Sequence, residues 1–200
     1  MGLSERKIRQ HQELKNQIIE CSRAIVNNEG WSSLSIRKIA DAIEYSVPVI
    51  YKHFENKEAI ANYFITEGFS IMSREIKSKV DAKADISLRF QQLAHAYYDF
   101  ALQYPKQYEI MFGVGIPTCE FALKNKEVGE LSDYFFGLIK ELIDKSGKKD
   151  IDVHMKFRSL WSILHGTVAF ELLSIPQRES ICPTKVLEDV VSSYTESILK

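Results

Sequence analysis

Apolar residues recur along the chain at spacings of three and four and almost nowhere alternate, so the pattern predicts helices and no sheet. Leu14, Ile18, Cys21 and Ile25 form one such face and predict a first helix over about residues 8–28. Asn27, Asn28 and Gly30 end it, because glycine tolerates the left-handed conformation past a helix end. Ile36, Ile39, Ala40 and Ile43 give a short second helix over 36–43, capped by Ser33 or Ser35. A tight turn at Glu44, Tyr45 and Ser46 follows. A third short helix fits 47–54, with Ser46 as N-cap and Pro48 in the first turn, where an amide has no intrahelical partner to lose.

The remaining periodic segments are longer. Asn56 is placed to cap a helix over 57–79, and another over 85–103 is stopped at Tyr104-Pro105. A short segment over 106–112 precedes a Gly- and Pro-rich loop, 113–117. Further helices fit 120–145, 151–174 and 184–199, with breaks at Ser146-Gly147 and Pro176. The expectation is an all-α fold of about nine helices. Residues 1–57 form a three-helix helix-turn-helix domain, and residues 58–200 a larger helical domain.

Composition narrows the class. The chain of 200 residues is 45% hydrophobic, enough for a sizeable core, and 26% charged. A formal net charge of -1 gives no hint of nucleic acid, so any DNA-binding surface has to be local. No apolar run approaches the roughly 20 residues that span a bilayer, and residues 1–15 lack an apolar signal core. A cytoplasmic location without membrane attachment is expected. Cys21, Cys119 and Cys182 are far apart and odd in number, which fits free thiols better than a disulfide framework. There is no Gly-rich phosphate loop, no HExxH and no GxSxG. His11, His53, His95, His154 and His165 are scattered without partners at ligand spacing, so no enzyme activity, metal or cofactor is expected.

Two short helices joined by a tight turn have the size of a helix-turn-helix, in which the second helix fits the major groove and the first braces it. The residues sharpen this: Leu34-Ser-Ile-Arg-Lys-Ile-Ala-Asp-Ala-Ile43, Glu44-Tyr-Ser46, Val47-Pro-Val-Ile-Tyr-Lys-His-Phe54 and Glu55-Asn-Lys-Glu-Ala-Ile60. Over about residues 10–62 this run resembles the DNA-binding domain of TetR-type transcriptional regulators. Trp161-Ser-Ile-Leu-His165-Gly166 and Tyr104-Pro-Lys-Gln-Tyr-Glu-Ile-Met-Phe112 resemble the C-terminal domain of the subgroup marked by Trp-x-x-x-His-Gly. One position departs from the family pattern. Glu44 stands where the turn usually has glycine, at a cost of about 1 kcal/mol if its backbone is left-handed.

The resemblance implies a homodimer on a palindromic double-stranded operator, repression as the default, and release by a small-molecule effector. In a helix-turn-helix the start of the recognition helix faces base edges. Here that start is Ser46, Val47, Pro48 and Val49, whose apolar members can pack on thymine methyls. Arg37, with Ser35 beside it, is expected to supply the polar contact. Tyr51, His53 and Lys57 match positions that touch phosphate in the family, and Lys52 adds a charge. Phe54 reads as a core aromatic. Residues 1–60 carry nine Lys and Arg against eight Asp and Glu, a net of +1, weak for DNA binding. That balance keeps open an adaptor of the same fold acting through protein contacts.

The back helices are rich in aromatics, and a stripe of these serves either as core or as the wall of a ligand cavity. The cavity reading selects His95, Tyr97, Tyr98, Met111, Phe112, Tyr134, Leu138, Trp161 and His165, and points to a largely apolar effector. Trp161 and His165 share a helix face, which serves equally as a packing motif. Apolar faces on the last two helices, with Phe170, Leu173, Leu187, Val190, Val191 and Tyr194, are the expected dimer contacts, since family members pair these helices across a two-fold axis.

Overall fold

The computed structural model describes residues 3–113, 125–172 and 182–200. Among them are nine α-helices and one 3-10 turn, and no strand. The helices are α1 (Leu3–Glu29), α2 (Ile36–Ala42), α3 (Val47–Tyr51), α4 (Lys57–Lys79), α5 (Ile86–Gln103), α6 (Pro105–Gly113), α7 (Lys126–Ser146), α8 (Val153–Leu172) and α9 (Pro183–Leu199); the 3-10 turn, Trp31–Ser33, follows α1. The chain forms two compact units, residues 1–65 and 66–200, which meet inside α4 rather than before it. The first turns of α4 go with the front unit because Ile60, Ala61, Phe64 and Ile65 are buried apolar residues of its core.

The front unit closes around Ile18, Ile25, Leu34, Ile39, Ile50 and Phe54, all buried. Its helices start and stop where local chemistry satisfies the orphan amides and carbonyls of the ends. Ser35 Oγ accepts from the Lys38 amide at 3.2 Å, and Asn56 Oδ1 accepts from the Ala59 amide at 2.7 Å. Ser46 occupies the N-cap position of α3, but its side chain makes no capping bond, contrary to expectation. The third helix is also shorter than the periodicity predicted. After Tyr51 the ladder tightens, with Lys52 and His53 amides donating three residues back at 3.2 and 2.9 Å, which turns Phe54 inward.

The turn between α2 and α3 is a Schellman motif. The Tyr45 amide donates to the Ala40 carbonyl at 2.9 Å and the Glu44 amide to the Asp41 carbonyl at 3.4 Å. That geometry needs a left-handed residue at its centre, and Glu44 supplies it with φ 60°. The turn does not open to spare the glutamate; the exposed side chain accepts the strained backbone.

In the second unit α5 is the central helix, packed against α6, α7, α8 and α9. Phe90, Leu93, Ala94, Tyr97, Phe100 and Ala101 of α5 are all but inaccessible. Asp85 caps α5, Asn125 caps α7, and Gly147 ends α7 in the left-handed conformation. Arg89 Nη1 donates to both carboxylate oxygens of Glu141, at 2.6 and 2.8 Å, tying α5 to α7.

The packing of α8 and α9 places the expected dimer contacts as follows. Leu187, Val191 and Tyr194 are buried within their own subunit, where α9 packs on α5, and the Tyr194 hydroxyl donates to the Lys156 carbonyl at 3.0 Å. An amphipathic helix places its strongest apolar face in its own core first, and α9 does so. Val190 is half-buried, Phe170 is 60% exposed, and Leu173 lies outside the described residues. The apolar side chains that α8 and α9 leave outside are Met155, Phe170, Leu172 and Val186.

Candidate nucleic-acid interface and small-molecule cavity

The front unit presents one continuous run of accessible side chains over α2, its turn and α3. Ser35, Arg37, Tyr45, Ser46, Pro48, Tyr51 and Lys52 are exposed, while Val47 and Val49 are half-buried at the start of α3. The geometry follows from α3 burying Ile50 completely, which turns positions 48, 51 and 52 outward. Among the described residues Arg37 is held only by a stretched 4.0 Å pair with Asp41, both side chains mostly in water, so its guanidinium is available to an acceptor. Two other basic residues are already engaged. Lys38 pairs with Glu29, and Lys57 Nζ donates to the Trp31 carbonyl at 2.9 Å while lying 4.9 Å from the centre of the Trp31 ring.

His53 is half-buried and stacks on His11, with ring centres 4.1 Å apart. Among the described residues its buried Nδ1 has no hydrogen-bond partner. Burial, then the charges of His11, Lys15 and Lys52, push its pKa below the usual histidine value. A neutral His53 offers one N–H to a phosphate oxygen rather than a charge.

The second unit carries a cavity of about 540 Å³ beside α6 and α8. Pro105, Phe112, Ala169 and Leu172 give it apolar walls; Tyr108, His165, Lys106 and Glu109 are its polar lining. Lys106 and Glu109 pair with each other at 3.0 Å. Behind the wall lies a triangle of three polar side chains. The Tyr97 hydroxyl is 3.0 Å from that of Tyr108 and 2.9 Å from His165 Nδ1, and the Tyr108 hydroxyl closes the figure at 2.5 Å from the same nitrogen. Burial holds the His165 pKa down at about 4 and lifts Tyr108 to about 12; Tyr97, fully enclosed, is raised by burial and by Tyr108. All three are therefore uncharged near neutral pH.

Aromatic rings hold this triangle in place. Trp161 meets His165 edge-on at 4.8 Å and Phe135 at 5.6 Å, and stacks on Phe157 at 5.7 Å. Phe112 packs edge-on against His165 at 4.5 Å.

Residues 18–64 match the bacterial regulatory proteins of the tetR family, and residues 90–177 match the tetracyclin repressor-like C-terminal domain. The chain belongs to the TetR family. It is 24% identical over 187 residues to the uncharacterized HTH-type transcriptional regulator YobS of Bacillus subtilis (strain 168), covering 92% of this chain and 88% of that one. Solved structures share the fold at 18% identity. One is a protein of unknown function from Rhodococcus sp. RHA1, with a TM-score of 0.74 over 94% of this chain and 96% of that one. Another is the fatty acid degradation regulator FadR from Bacillus halodurans, with a TM-score of 0.64 over 92% and 94%.

For this TetR-family transcriptional regulator the structure sorts the residues selected from sequence. Phe112 and His165 line the cavity; Tyr97 and Trp161 stand directly behind them. The other five do not join them. His95 faces α9 and lies 3.1 Å from Glu188, and Leu138 is plain core. Met111 is buried at the crossing with α4, Tyr134 sits under Lys77, and Tyr98 is buried near Glu171. Sequence reasoning missed Lys106, Tyr108, Glu109, Ala169 and Leu172 as lining. The break at Pro105 starts a new helix, so the facing of α6 cannot be extrapolated from the periodicity of α5.

Proposed function

We propose that this regulator is a ligand-responsive repressor. It binds a palindromic double-stranded operator as a cytoplasmic homodimer and leaves it when a small, largely apolar molecule occupies the cavity beside α6 and α8. The observation that carries this reading is the mostly apolar cavity backed by an uncharged Tyr97–Tyr108–His165 triangle, in a chain whose front unit exposes Arg37, Ser46, Pro48 and Tyr51 together. A two-fold dimer presents two α3 helices to two half-sites, and an effector that favours a dimer unable to span them lowers DNA affinity by population shift. Exposed Phe170 and Met155 on α8 and Val186 on α9 favour a dimer formed through these helices. Among the described residues no helix is long and apolar enough to cross a membrane.

The test is selection of bound DNA from a random pool at two salt concentrations. An enriched palindrome, bound with a steep salt slope and lost on Arg37→Ala, is the expected result. A second reading, an adaptor acting through protein contacts, is favoured by the near-neutral front segment and by the internal engagement of Lys38 and Lys57. Absence of enrichment at both salts supports that reading instead.

A further inference from the structure

The hydrogens of the polar triangle do not balance. Two phenols and a neutral imidazole bring three donor hydrogens, and all three close contacts converge on two hydroxyl oxygens and one nitrogen, Nδ1. If Nδ1 accepts, Tyr108 donates to it, Tyr97 donates to Tyr108, and the His165 Nε2–H is left with only a 3.4 Å approach to Tyr97. If Nδ1 carries the hydrogen, it donates to one phenol, that phenol donates to the other, and one hydroxyl hydrogen is left over. Tyr97 is inaccessible, so stranding the surplus there leaves a buried donor unmet. The arrangements that avoid this place it on Tyr108 or His165, the two members that line the cavity.

Among the described residues the rest of the lining has no net charge to offer. Lys106 and Glu109 neutralise each other, and the remaining described walls are Pro105, Phe112, Gly113, Ala169 and Leu172. An anionic guest would have to take Lys106 from Glu109 and then sit beside that carboxylate. A cationic guest would likewise have to take Glu109 from Lys106 and then sit beside that ammonium. From this geometry we infer that the cavity takes an uncharged, largely apolar molecule bearing one oxygen acceptor, such as a ketone or an ester, whose oxygen receives the surplus hydrogen from Tyr108 or His165. The inference rests on the cavity being the effector site and adds the chemical class of the effector. The protonation of the triangle agrees with it, since neither phenol nor imidazole is ionised near neutral pH.

The experiment titrates the full chain at pH 7.5 by calorimetry with four probes sharing one phenylbutyl-sized body: butyrophenone, butylbenzene, 4-phenylbutanoic acid and 4-phenylbutylamine. Quenching of Trp161 fluorescence in a Trp31→Phe background reports the site. The expected result is that butyrophenone binds about five- to tenfold tighter than butylbenzene, the value of one net hydrogen bond, and more than tenfold tighter than acid or amine. Tyr108→Phe combined with His165→Phe is expected to remove the advantage of the ketone over the hydrocarbon. Because the probe series is read on a chain with α6 and α8 unaltered, the outcome does not depend on that variant folding. Tighter binding of acid or amine overturns the inferred class and leaves the cavity as effector site. Equal binding of ketone and hydrocarbon overturns the donor argument alone. Binding of none of the four overturns the reading of the cavity and the inference with it.

Discussion

Lys57 and Trp31 are joined twice. The ammonium donates to the Trp31 carbonyl at 2.9 Å and sits 4.9 Å from the centre of the same residue's ring. The family resemblance puts Lys57 among the phosphate contacts; in the fold its ammonium braces the 3-10 turn against the start of α4. Lys57→Met is therefore expected to lower the stability of the front unit by about 1–2 kcal/mol, one hydrogen bond plus one cation–π contact. It is expected to leave the slope of log affinity against log salt unchanged, whereas Arg37→Ala lowers that slope by about one. Denaturant unfolding and salt-dependent operator binding on both variants check this. A reduced slope for Lys57→Met would return that lysine to the phosphate set.

Glu44 holds a left-handed backbone that glycine adopts without strain. Glu44→Gly is expected to stabilise the chain by about 0.5–1 kcal/mol, the relief of strain exceeding the added entropy of the unfolded chain. Removing a carboxylate close to the start of α3 is also expected to raise operator affinity. Thermal unfolding and a binding titration measure the two effects separately, and a destabilised variant would contradict the strain.

His165 stays neutral down to about pH 4, against an ordinary value of 6.5. Its folded-state pKa is depressed, so the unfolded chain binds the proton more readily and stability falls as pH drops below about 6.5, levelling off near 4. His53, also depressed, adds a contribution of the same sign. The His165 share is on the order of 3 kcal/mol for the full shift. Urea unfolding at pH 7.5 and pH 5 is expected to show about 2 kcal/mol of this loss in the native chain and a smaller loss in His165→Gln. An equal loss in both would place the titration elsewhere.

At Gly68, α4 passes so close to α6 that a Cβ would collide with Met111 Sδ and lie 2.6 Å from Gln107 Nε2. Met111 is fully buried, so any shift it makes has to be taken up by the core around it. Gly68→Ala is expected to cost about 1–3 kcal/mol, in the range of core overpacking. Adding Met111→Ala is expected to recover part of that loss, and a double-mutant cycle in denaturant reads the coupling. Strictly additive effects would show that the two positions do not meet.

Val47 and Val49 open α3 as half-buried apolar side chains. Replacing operator thymines with deoxyuridine, one methyl fewer at each, is expected to weaken binding about three- to fourfold at a contacted position. In Val47→Ala or Val49→Ala the penalty is expected to shrink at the base that side chain meets. Unchanged affinity for every uracil substitution would rule out thymine packing.

Periodicity and punctuation were enough to read every helix along the described chain. The bounds of α4 match those expected, and those of α5, α6 and α9 differ by a residue or two, because caps and breakers such as Ser35, Asn56 and Pro105 act within a few positions. The Ile50 and Phe54 core positions and the strained Glu44 turn were legible for the same reason. What the tertiary structure decided is where second partners stand. Lys57 turned to Trp31 across 26 positions, and His165 met Tyr97 and Tyr108 across 68 and 57. The faces of Leu187, Val191 and Tyr194 went to their own core rather than outward. A helix pattern states which side of an element is apolar, but several neighbours compete to cover that side. Only the packed arrangement of α5 with α6, α7, α8 and α9 selects the one that does.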